Sequence, residues 1–286
     1  MLRFGSHLSV AGGLDRAVAS AVELSLGSLQ VFTANQRQWS PKTPDARAIR
    51  AFRSAVRRAK IGPVVSHASY LINLATGDRQ NRTQSIRALG AELDRCAALG
   101  IKLCVVHPGA HLGDGVEAGI RRIAEALDEI YAARPACKVK TLLETTAGQG
   151  TSIGHRFEHL AEIIDRADCA RHLAVCVDTC HIHAAGYVIT TRAGYDKTMT
   201  ELIACVGRSR IRCLHLNDSK PPRGSRVDRH EHIGRGTIKA AGFRNVVNDT
   251  RLAGLPGILE TPKGDDPRGR SWDGINLRRL RGYVAR

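Results

Sequence analysis

Short apolar runs alternate with longer amphipathic segments along the whole chain. The runs have the length of buried strands, and in the segments between them apolar residues recur every three or four positions, as on one face of a helix. The predicted strands are residues 3–7, 28–32, 63–67, 103–107, 140–144, 173–178, 211–216 and 257–260. The predicted helices are residues 14–24, 46–59, 83–99, 116–132, 157–166, 193–206, 240–248 and 272–284.

This alternation predicts an α/β fold in which eight strand–helix units form a single (β/α)8 TIM barrel. A doubly wound open sheet is the alternative, but no G-x-G-x-x-G motif follows the first predicted strand. No linker rich in serine, glycine or proline divides the chain. We therefore expect one catalytic domain over residues 1–286.

Residues that can bind a metal end six consecutive predicted strands: His67, His107, Glu144, Asp178, His215 and Glu260. The carboxyl ends of all strands meet on one face of a TIM barrel, so these side chains should converge there. One such residue is most often a structural polar group. Six in phase are difficult to explain in that way, because buried carboxylates repel one another without a cation. The pattern predicts a metal cluster of the zinc or manganese type.

Two further groups of candidate ligands lie at the end of the sixth predicted strand and in a later predicted loop. Asp178 and His181 stand three apart in DTCH, and Asp228 and His230 stand two apart in DRH. An additional metal site could be formed by His181, Asp228 and His230. His7 lies near the same end of the predicted barrel and could hydrogen-bond the substrate or the groups that support the ligands. Two or three divalent cations close together suit in-line displacement at phosphorus, because they share the charge of the attacking and leaving oxygens.

The amino-acid composition indicates what kind of partner the protein binds. Lysine and arginine number 43 against 27 aspartate and glutamate, a formal charge of +16 that favours a polyanion such as nucleic acid. Aromatic residues are only 4%, which argues against a platform that stacks bases. No C-x-x-C pair, signal peptide or membrane-length apolar run is present. We expect reduced thiols and an intracellular protein that is neither secreted nor bound to a membrane.

Several segments together resemble the endonuclease IV family, the zinc-dependent apurinic/apyrimidinic endonucleases of base-excision repair. They follow one another in the family's order up to residue 262, so the resemblance covers nearly the whole chain. The segments are GSHLSVAGGL (5–14), FTANQRQW (32–39), SHASYLINLA (66–75), VVHPGAH (105–111), LLETTAGQGTSIG (142–154), VCVDTCHIHAAGY (175–187), LHLNDSKPPRGSRVDRHEHIGRG (214–236) and ILETP (258–262).

The resemblance implies three zinc ions per chain, with manganese as an alternative at one site. It assigns His67, His107 and Glu144 to the first ion, Glu144, Asp178, His215 and Glu260 to the second, and His181, Asp228 and His230 to the third. A hydroxide that bridges the first two ions would be the nucleophile. Glu144 and Glu260 are expected to be the catalytic carboxylates.

The activity that the resemblance implies is hydrolysis of the phosphodiester on the 5′ side of an abasic site in duplex DNA. The products are a 3′-hydroxyl and a 5′-deoxyribose phosphate, and the same chemistry would trim blocked 3′ ends. The family bends DNA and turns the abasic nucleotide out of the helix, which costs least where base pairing is already lost. We expect the protein to act as a monomer.

Five residues are expected to contact DNA. Arg37 in NQRQW and Tyr70 in HASYL match the inserting residues of the family, and Leu71 is a further candidate wedge. Lys220 and Arg229 are candidates for phosphate contacts. Without the resemblance, Arg37 would be an ordinary surface arginine and Tyr70 a loop aromatic.

Two positions depart from the family pattern. Ala68 follows the first ligand histidine, where some members carry an acidic residue, which leaves the hydrogen-bond partner of His67 open. His183, just after DTCH, is an extra imidazole beside the third site.

Two other functions remain as alternatives. A sugar isomerase or epimerase of the related xylose-isomerase-like barrels also has histidines and carboxylates at strand ends, but it needs neither a third metal site nor a charge of +16. A non-catalytic DNA-binding module with a structural zinc would be closed by four ligands of one cluster. A metal count separates these alternatives, because one or two ions per chain favour the isomerase.

Overall fold

The computed structural model describes residues 1–39 and 41–285, so the last residue of the predicted domain lies outside the described residues. Within them, eight parallel strands form one closed barrel, as predicted. The strands are β1 (Arg3–His7), β2 (Ser28–Val31), β3 (Val64–His67), β4 (Leu103–Val106), β5 (Lys140–Glu144), β6 (Leu173–Asp178), β7 (Ile211–His215) and, after a separate antiparallel pair of β8 (Asp218–Ser219) and β9 (His230–Glu231), β10 (Pro256–Leu259). Neighbours follow chain order, and β1 closes the barrel against β10.

Helices surround the barrel, and most begin and end close to the predicted bounds. They are α1 (Leu14–Glu23), α2 (Ala46–Ala59), α3 (Arg79–Leu99), α4 (Val116–Ala132), α5 (Phe157–Arg166), α6 (Thr179–Ala185), α7 (Arg192–Val206), α8 (Lys239–Val247) and α9 (Trp272–Tyr283). The sequence pattern does not predict α6, because seven residues are too few for a helical period to be visible. None of the described helices has both the length and the apolar character that a membrane crossing requires.

Apolar side chains fill two layers, one inside the barrel and one between its strands and the helices. Along β4, Val105 points into the barrel, whereas Cys104 and Val106 pack in the outer layer. Because both faces of the strands are buried, their sequences appear as continuous apolar runs. The inner layer consists of Val65, Val105, Leu142, Ala174, Cys176, Cys213 and Ile258. All eight cysteines are free thiols.

Two of the candidate ligands lie one residue beyond the strands that they were expected to end. His107 follows β4, and Glu260 follows β10. Pro108 has no N–H group to continue the ladder after β4. The N–H of Glu260 donates to Asn217 Oδ1 at 2.8 Å rather than to a strand. Both side chains remain at the carboxyl end of the barrel.

Helix α3 begins at Arg79, four residues before the predicted start at residue 83. The apolar period does not reveal its first turn, because residues 79–82 are all polar. Asp78 caps the helix, since its Oδ1 accepts the N–H of Asn81 at 2.7 Å.

Replacing Asp78 with alanine is expected to lower the free energy of unfolding by about 1 kcal/mol, measured by urea denaturation. Asp78→Ser keeps an acceptor and is the control. An equal loss in both variants would contradict the capping role.

A buried aspartate holds the loop around the small antiparallel sheet. Asp218 lies in β8, and its two carboxylate oxygens accept four backbone N–H groups. The donors are Ser219, Gly234, Gly236 and Ile238, at 2.8 to 3.0 Å. In the same sheet, His230 pairs with Ser219. These contacts fix the position of His230 beside the carboxyl end of the barrel.

Candidate metal centre

The nine candidate ligands meet at the carboxyl end of the barrel, as the strand-end pattern predicts. They come from the ends of β3, β5, β6 and β7, from the residues after β4 and β10, from α6, and from β9 with the loop before it. All are buried or half-buried: His67, His107, Glu144, Asp178, His181, His215, Asp228, His230 and Glu260. Their positions therefore match the expected convergence.

Glu144 lies at the centre of the cluster and is fully buried. Its Oε2 is 3.2 Å from Nε2 of His67 and 3.1 Å from Nε2 of His107. Its Oε1 is 2.7 Å from Nδ1 of His215. One ligand atom from each of His67, His107 and Glu144 lies within 4.8 Å of the others, so a cation placed between them could contact all three.

His215 connects Glu144 to a second carboxylate. Its Nδ1 is 3.0 Å from Glu260 Oε2, and its Nε2 donates to Gln30 Oε1 at 2.9 Å. Gln30 Nε2 donates in turn to Glu260 Oε1 at 2.5 Å. Because the Gln30 oxygen can only accept, the Nε2 of His215 carries a proton. Its Nδ1 faces two carboxylates, and this arrangement requires a proton or a metal cation between them.

A third group lies on the side of the cluster formed by α6 and β9. His181 Nε2 is 3.1 Å from Asp228 Oδ2, and His230 Nε2 is 3.3 Å from Asp228 Oδ1. Asp178 Oδ2 is 3.7 Å from His230 Nε2. Oδ1 of Asp178 accepts the N–H of His181 at 3.0 Å and caps α6. DTCH therefore joins β6 to this group within one helical turn.

Backbone carbonyls orient three of the imidazoles. Nδ1 of His67, His181 and His230 each donates to a carbonyl, so each Nε2 faces into the cluster. The acceptors are the carbonyl oxygens of Ala68, Thr145 and Glu260, at 2.7 to 3.1 Å. Nε2 of His181 and of His230 is buried, and the nearest acceptor of each is the Asp228 carboxylate, at 3.1 and 3.3 Å, without the geometry of a good hydrogen bond. A bare Nε2 lone pair that faces a carboxylate is repelled, so each of these atoms needs a proton or a metal cation beside it, and the donor set fits a divalent cation.

Neighbouring imidazoles favour the ionised form of three carboxylates of the cluster, Glu144, Asp228 and Glu260. Burial opposes ionisation of Glu144, but the neighbouring His215 holds the pKa of Glu144 well below its usual range. Burial likewise opposes ionisation of Glu260, and His215 holds the pKa of Glu260 low. Burial also opposes ionisation of Asp228, but the contact with His181 and the charges of the neighbouring imidazoles together lower the pKa of Asp228 to about 2. The site therefore concentrates negative charge that a cation can neutralise.

Two of the residues expected to contact DNA stand beside these imidazoles. The Tyr70 ring centroid is 5.2 Å from that of His67 and 5.8 Å from that of His107. Tyr70 is 62% exposed and Leu71 is 37% exposed, although both are large apolar side chains. An exposed apolar pair at the rim of a polar cluster is typical of a binding surface.

The cationic residues expected to contact DNA lie around the same end. Arg37 lines a cavity of about 690 Å³ together with His7 and Lys263. Lys220 and Arg229 are both exposed, and the N–H of Lys220 donates to the carbonyl of Arg229 at 3.0 Å. The structure thus brings all five of these residues to the carboxyl end of the barrel.

Sequence reasoning missed the residues that support the ligands. Gln30 contacts His215 and Glu260, and Asn217 Nδ2 donates to Asp178 Oδ2 at 2.6 Å. Thr145 Oγ1 accepts the N–H of Asp178 at 2.9 Å. Gln30 could have been found, because it is a polar interruption near the end of a predicted strand. Nothing in the sequence alone singles out Thr145.

The fold and this cluster define a class of protein. A family model described as "Xylose isomerase-like TIM barrel" matches residues 18–280. The class is shared by proteins of different activities, so the fold alone does not separate a nuclease from a sugar epimerase.

Comparison with individual proteins narrows the class. The chain is 49% identical to "Probable endonuclease 4" of Chloroflexus aurantiacus over 284 residues, 99% of each chain. It is 48% identical to the protein of the same name from Geobacter sulfurreducens over 282 residues, 99% of this chain and 94% of the relative. The crystal structure of endonuclease IV from Thermus thermophilus superposes with a TM-score of 0.86 at 35% identity, and 98% of each chain is covered. The chain belongs to the endonuclease IV family.

Proposed function

We propose that this protein is a metal-dependent endonuclease that hydrolyses the phosphodiester on the 5′ side of an abasic site in duplex DNA. The products would be a 3′-hydroxyl and a 5′-deoxyribose phosphate. The observation that carries the proposal is the cluster of imidazoles and carboxylates in which the buried Nε2 atoms of His181 and His230 face carboxylates. The relatives named as endonucleases support the same activity.

Three divalent cations per chain would be held by the cluster, and zinc suits its imidazole and carboxylate donors. The proposed sets are His67, His107 and Glu144; Glu144, Asp178, His215 and Glu260; and His181, Asp228 and His230. Manganese is an alternative at one of them. When bound, such ions activate water and neutralise the charge that develops at phosphorus.

The chain's own residues would keep this centre in one arrangement. Glu144 and Glu260, the proposed catalytic carboxylates, stay ionised through His215. Gln30 holds the side chain of Glu260, and Asn217 holds its backbone N–H. Groups fixed in this way need little reorganisation when charge develops on the substrate.

The exposed residues around the cluster would recognise the damaged duplex. Tyr70 and Leu71 would fill the gap left by the abasic nucleotide, and Arg37 would insert its planar guanidinium. Lys220 and Arg229 would contact phosphates. Turning out a nucleotide without a base requires no loss of base pairing, and this selects for the lesion.

The proposal extends to related properties. The same chemistry would trim blocked 3′ ends, because these also present a phosphodiester or phosphomonoester to the cluster. The barrel would act inside the cell, as one catalytic domain and as a monomer.

An incision assay tests the proposal. The protein should nick a fluorescent duplex with one abasic site only at that site. A chelator should abolish this activity, and added zinc should restore it. An otherwise identical intact duplex is the control. Zinc-loaded protein that leaves the abasic duplex uncut contradicts the proposal, and interconversion of ketohexoses would support the epimerase alternative.

Gln30 provides a test of the support around the proposed ligands. Replacing Gln30 with leucine removes the acceptor that fixes the His215 ring, so metal affinity should fall by about 10- to 100-fold. Competition with a colorimetric chelator measures this affinity. Gln38→Leu, at an exposed position of the loop after β2, should leave the metal affinity unchanged. Unchanged affinity in the Gln30 variant would show that the hydrogen bond has no such role.

A further inference from the structure

A group of cations lies at the amino end of the barrel, opposite the candidate metal centre. We call it the basic face and define it as Lys102, Lys140, Arg171, Arg210 and Arg212, which lie at the starts of β4 to β7 or just before them. Strand direction fixes this placement, because the candidate ligands follow the other ends of the same strands. The face is therefore separate from the proposed nuclease site.

Hydrogen bonds connect the segments that carry four of these five residues. Lys140 Nζ donates to the carbonyl of Arg171 at 2.7 Å, and Arg210 Nη1 donates to that of Ala170 at 2.8 Å. The backbone N–H of Lys140 donates to the carbonyl of Lys102 at 2.9 Å. Partial burial lowers the pKa of Lys140, and the charges of Arg212 and Arg210 lower it further. Positive charge is thus concentrated on this surface.

No carboxylate of the described residues forms an ion pair with a cation of the basic face, although Asp128 and Asp168 line one cavity with Arg171. Within residues 1–39 and 41–285, no carboxylate lies within 4.0 Å of its five cationic groups, and the ion pairs of this part of the chain join other residues. Asp128, which is nearby, accepts the backbone N–H groups of Asp168 and Cys169. Asp249 pairs with Arg251. Backbone carbonyls position Lys140 and Arg210 but leave their charge in place.

The proposed nuclease site leaves most of the chain's positive charge unexplained. Arg37, Lys220 and Arg229 are three of 43 cations, against 27 carboxylates. A short duplex bound at the carboxyl end of the barrel, straight or bent, does not cover the starts of the strands, because the two ends face in opposite directions. The basic face is therefore available for a ligand other than the duplex at the candidate metal centre.

The chemistry of the face favours a phosphate backbone. Three of its five side chains are arginines, whose planar fork matches phosphate oxygens. None of the exposed large apolar side chains among the described residues belongs to β4–β7 or to the segments that lead into them. A face without such groups offers neither a stacking platform for single strands nor an apolar anchor for a protein.

We propose that the basic face binds a second segment of duplex DNA through its phosphates, without reading its sequence. One chain could then hold two duplex segments at once, at opposite ends of the barrel. This binding does not depend on the incision reaction, because no residue of the face belongs to the candidate metal centre.

Binding stoichiometry tests the proposal. Metal-loaded protein is titrated at low salt with an undamaged fluorescent duplex too short to reach from one end of the barrel to the other, and the complexes are counted by sedimentation. The test variant reverses exposed charges of the face and spares Lys140 and Arg210: Lys102→Glu, Arg171→Glu and Arg212→Glu. The control makes the same charge change on the outer surfaces of three helices: Arg50→Glu, Arg87→Glu and Arg278→Glu.

The wild type and the control variant should each bind one more duplex per chain than the test variant. The salt dependence of the additional binding should have a log–log slope of about −2 to −4, because each neutralised phosphate contributes about −0.9. Equal stoichiometry in the wild type and the test variant would overturn the proposal. Additional binding of single-stranded RNA or polyphosphate but not of duplex DNA would also overturn it. If the test variant still incises abasic DNA but has lost one duplex, the two sites are independent.

Discussion

Replacing Glu144 with glutamine is expected to reduce incision of an abasic duplex by about 100- to 1000-fold or more. The substitution keeps the size of the side chain but removes the charge that three imidazoles approach within 3.2 Å. Because one carboxylate is shared by two of the proposed metal sets, a single substitution affects both. Single-turnover incision measured on a denaturing gel gives the loss, and elemental analysis gives the metal content.

The same variant should retain its affinity for intact duplex DNA, because phosphate contacts do not require the metal cluster. Glu125→Gln, at an exposed carboxylate of α4 paired with Arg121, is the matched control and should incise like the wild type. If the Glu144 variant keeps full activity with its metals bound, the central place of Glu144 in the mechanism is wrong.

Replacing Glu92 with alanine is expected to lower the free energy of unfolding by about 3 to 5 kcal/mol, because it leaves the buried charge of Arg95 without a carboxylate. Glu92 is 2% exposed and Arg95 is 5% exposed. Glu92 Oε2 lies 2.5 Å from Arg95 Nη2. Its carboxylate also accepts the hydroxyls of Thr33 and Ser66. Urea denaturation measures the loss.

Two controls separate this effect from the loss of an ordinary ion pair. Asp94→Ala, on the same helix, breaks an exposed pair with Arg134 and should cost no more than about 1 kcal/mol. The double variant Glu92→Met with Arg95→Met removes both buried charges and should recover most of the stability. If the single Glu92 variant is as stable as the Asp94 variant, burial of the pair does not make the loss of one partner more costly.

The barrel and the first two groups of ligands could be predicted because each strand is buried on both faces. A histidine or carboxylate at the end of such a strand interrupts an apolar run, and His67 and Glu144 are visible for that reason. Gln30 interrupts β2 in the same way, but an amide is not a usual zinc ligand. Its part in holding His215 appears only when the two strands are seen together.

Other features depend on contacts between distant segments and leave no periodic signal. The position of His230 depends on the pairing of two-residue strands and on the four N–H groups bound by Asp218, so the spacing of DRH alone could not give its place. Glu92 and Arg95 stand three apart on a helix, a pattern typical of a solvated pair. Their burial is tolerated because Thr33, in the loop after β2, and Ser66, in β3, supply hydroxyl donors to Glu92.

The central claim is that water attacks phosphorus on the 5′ side of an abasic site. Incision in water enriched in heavy oxygen, followed by mass spectrometry of both fragments, tests it directly. The account predicts one heavy oxygen in the phosphate of the 5′-deoxyribose fragment and an unlabelled 3′-hydroxyl on the other strand end. A 3′ unsaturated aldehyde with an unlabelled phosphate would indicate elimination at the sugar and would contradict the account.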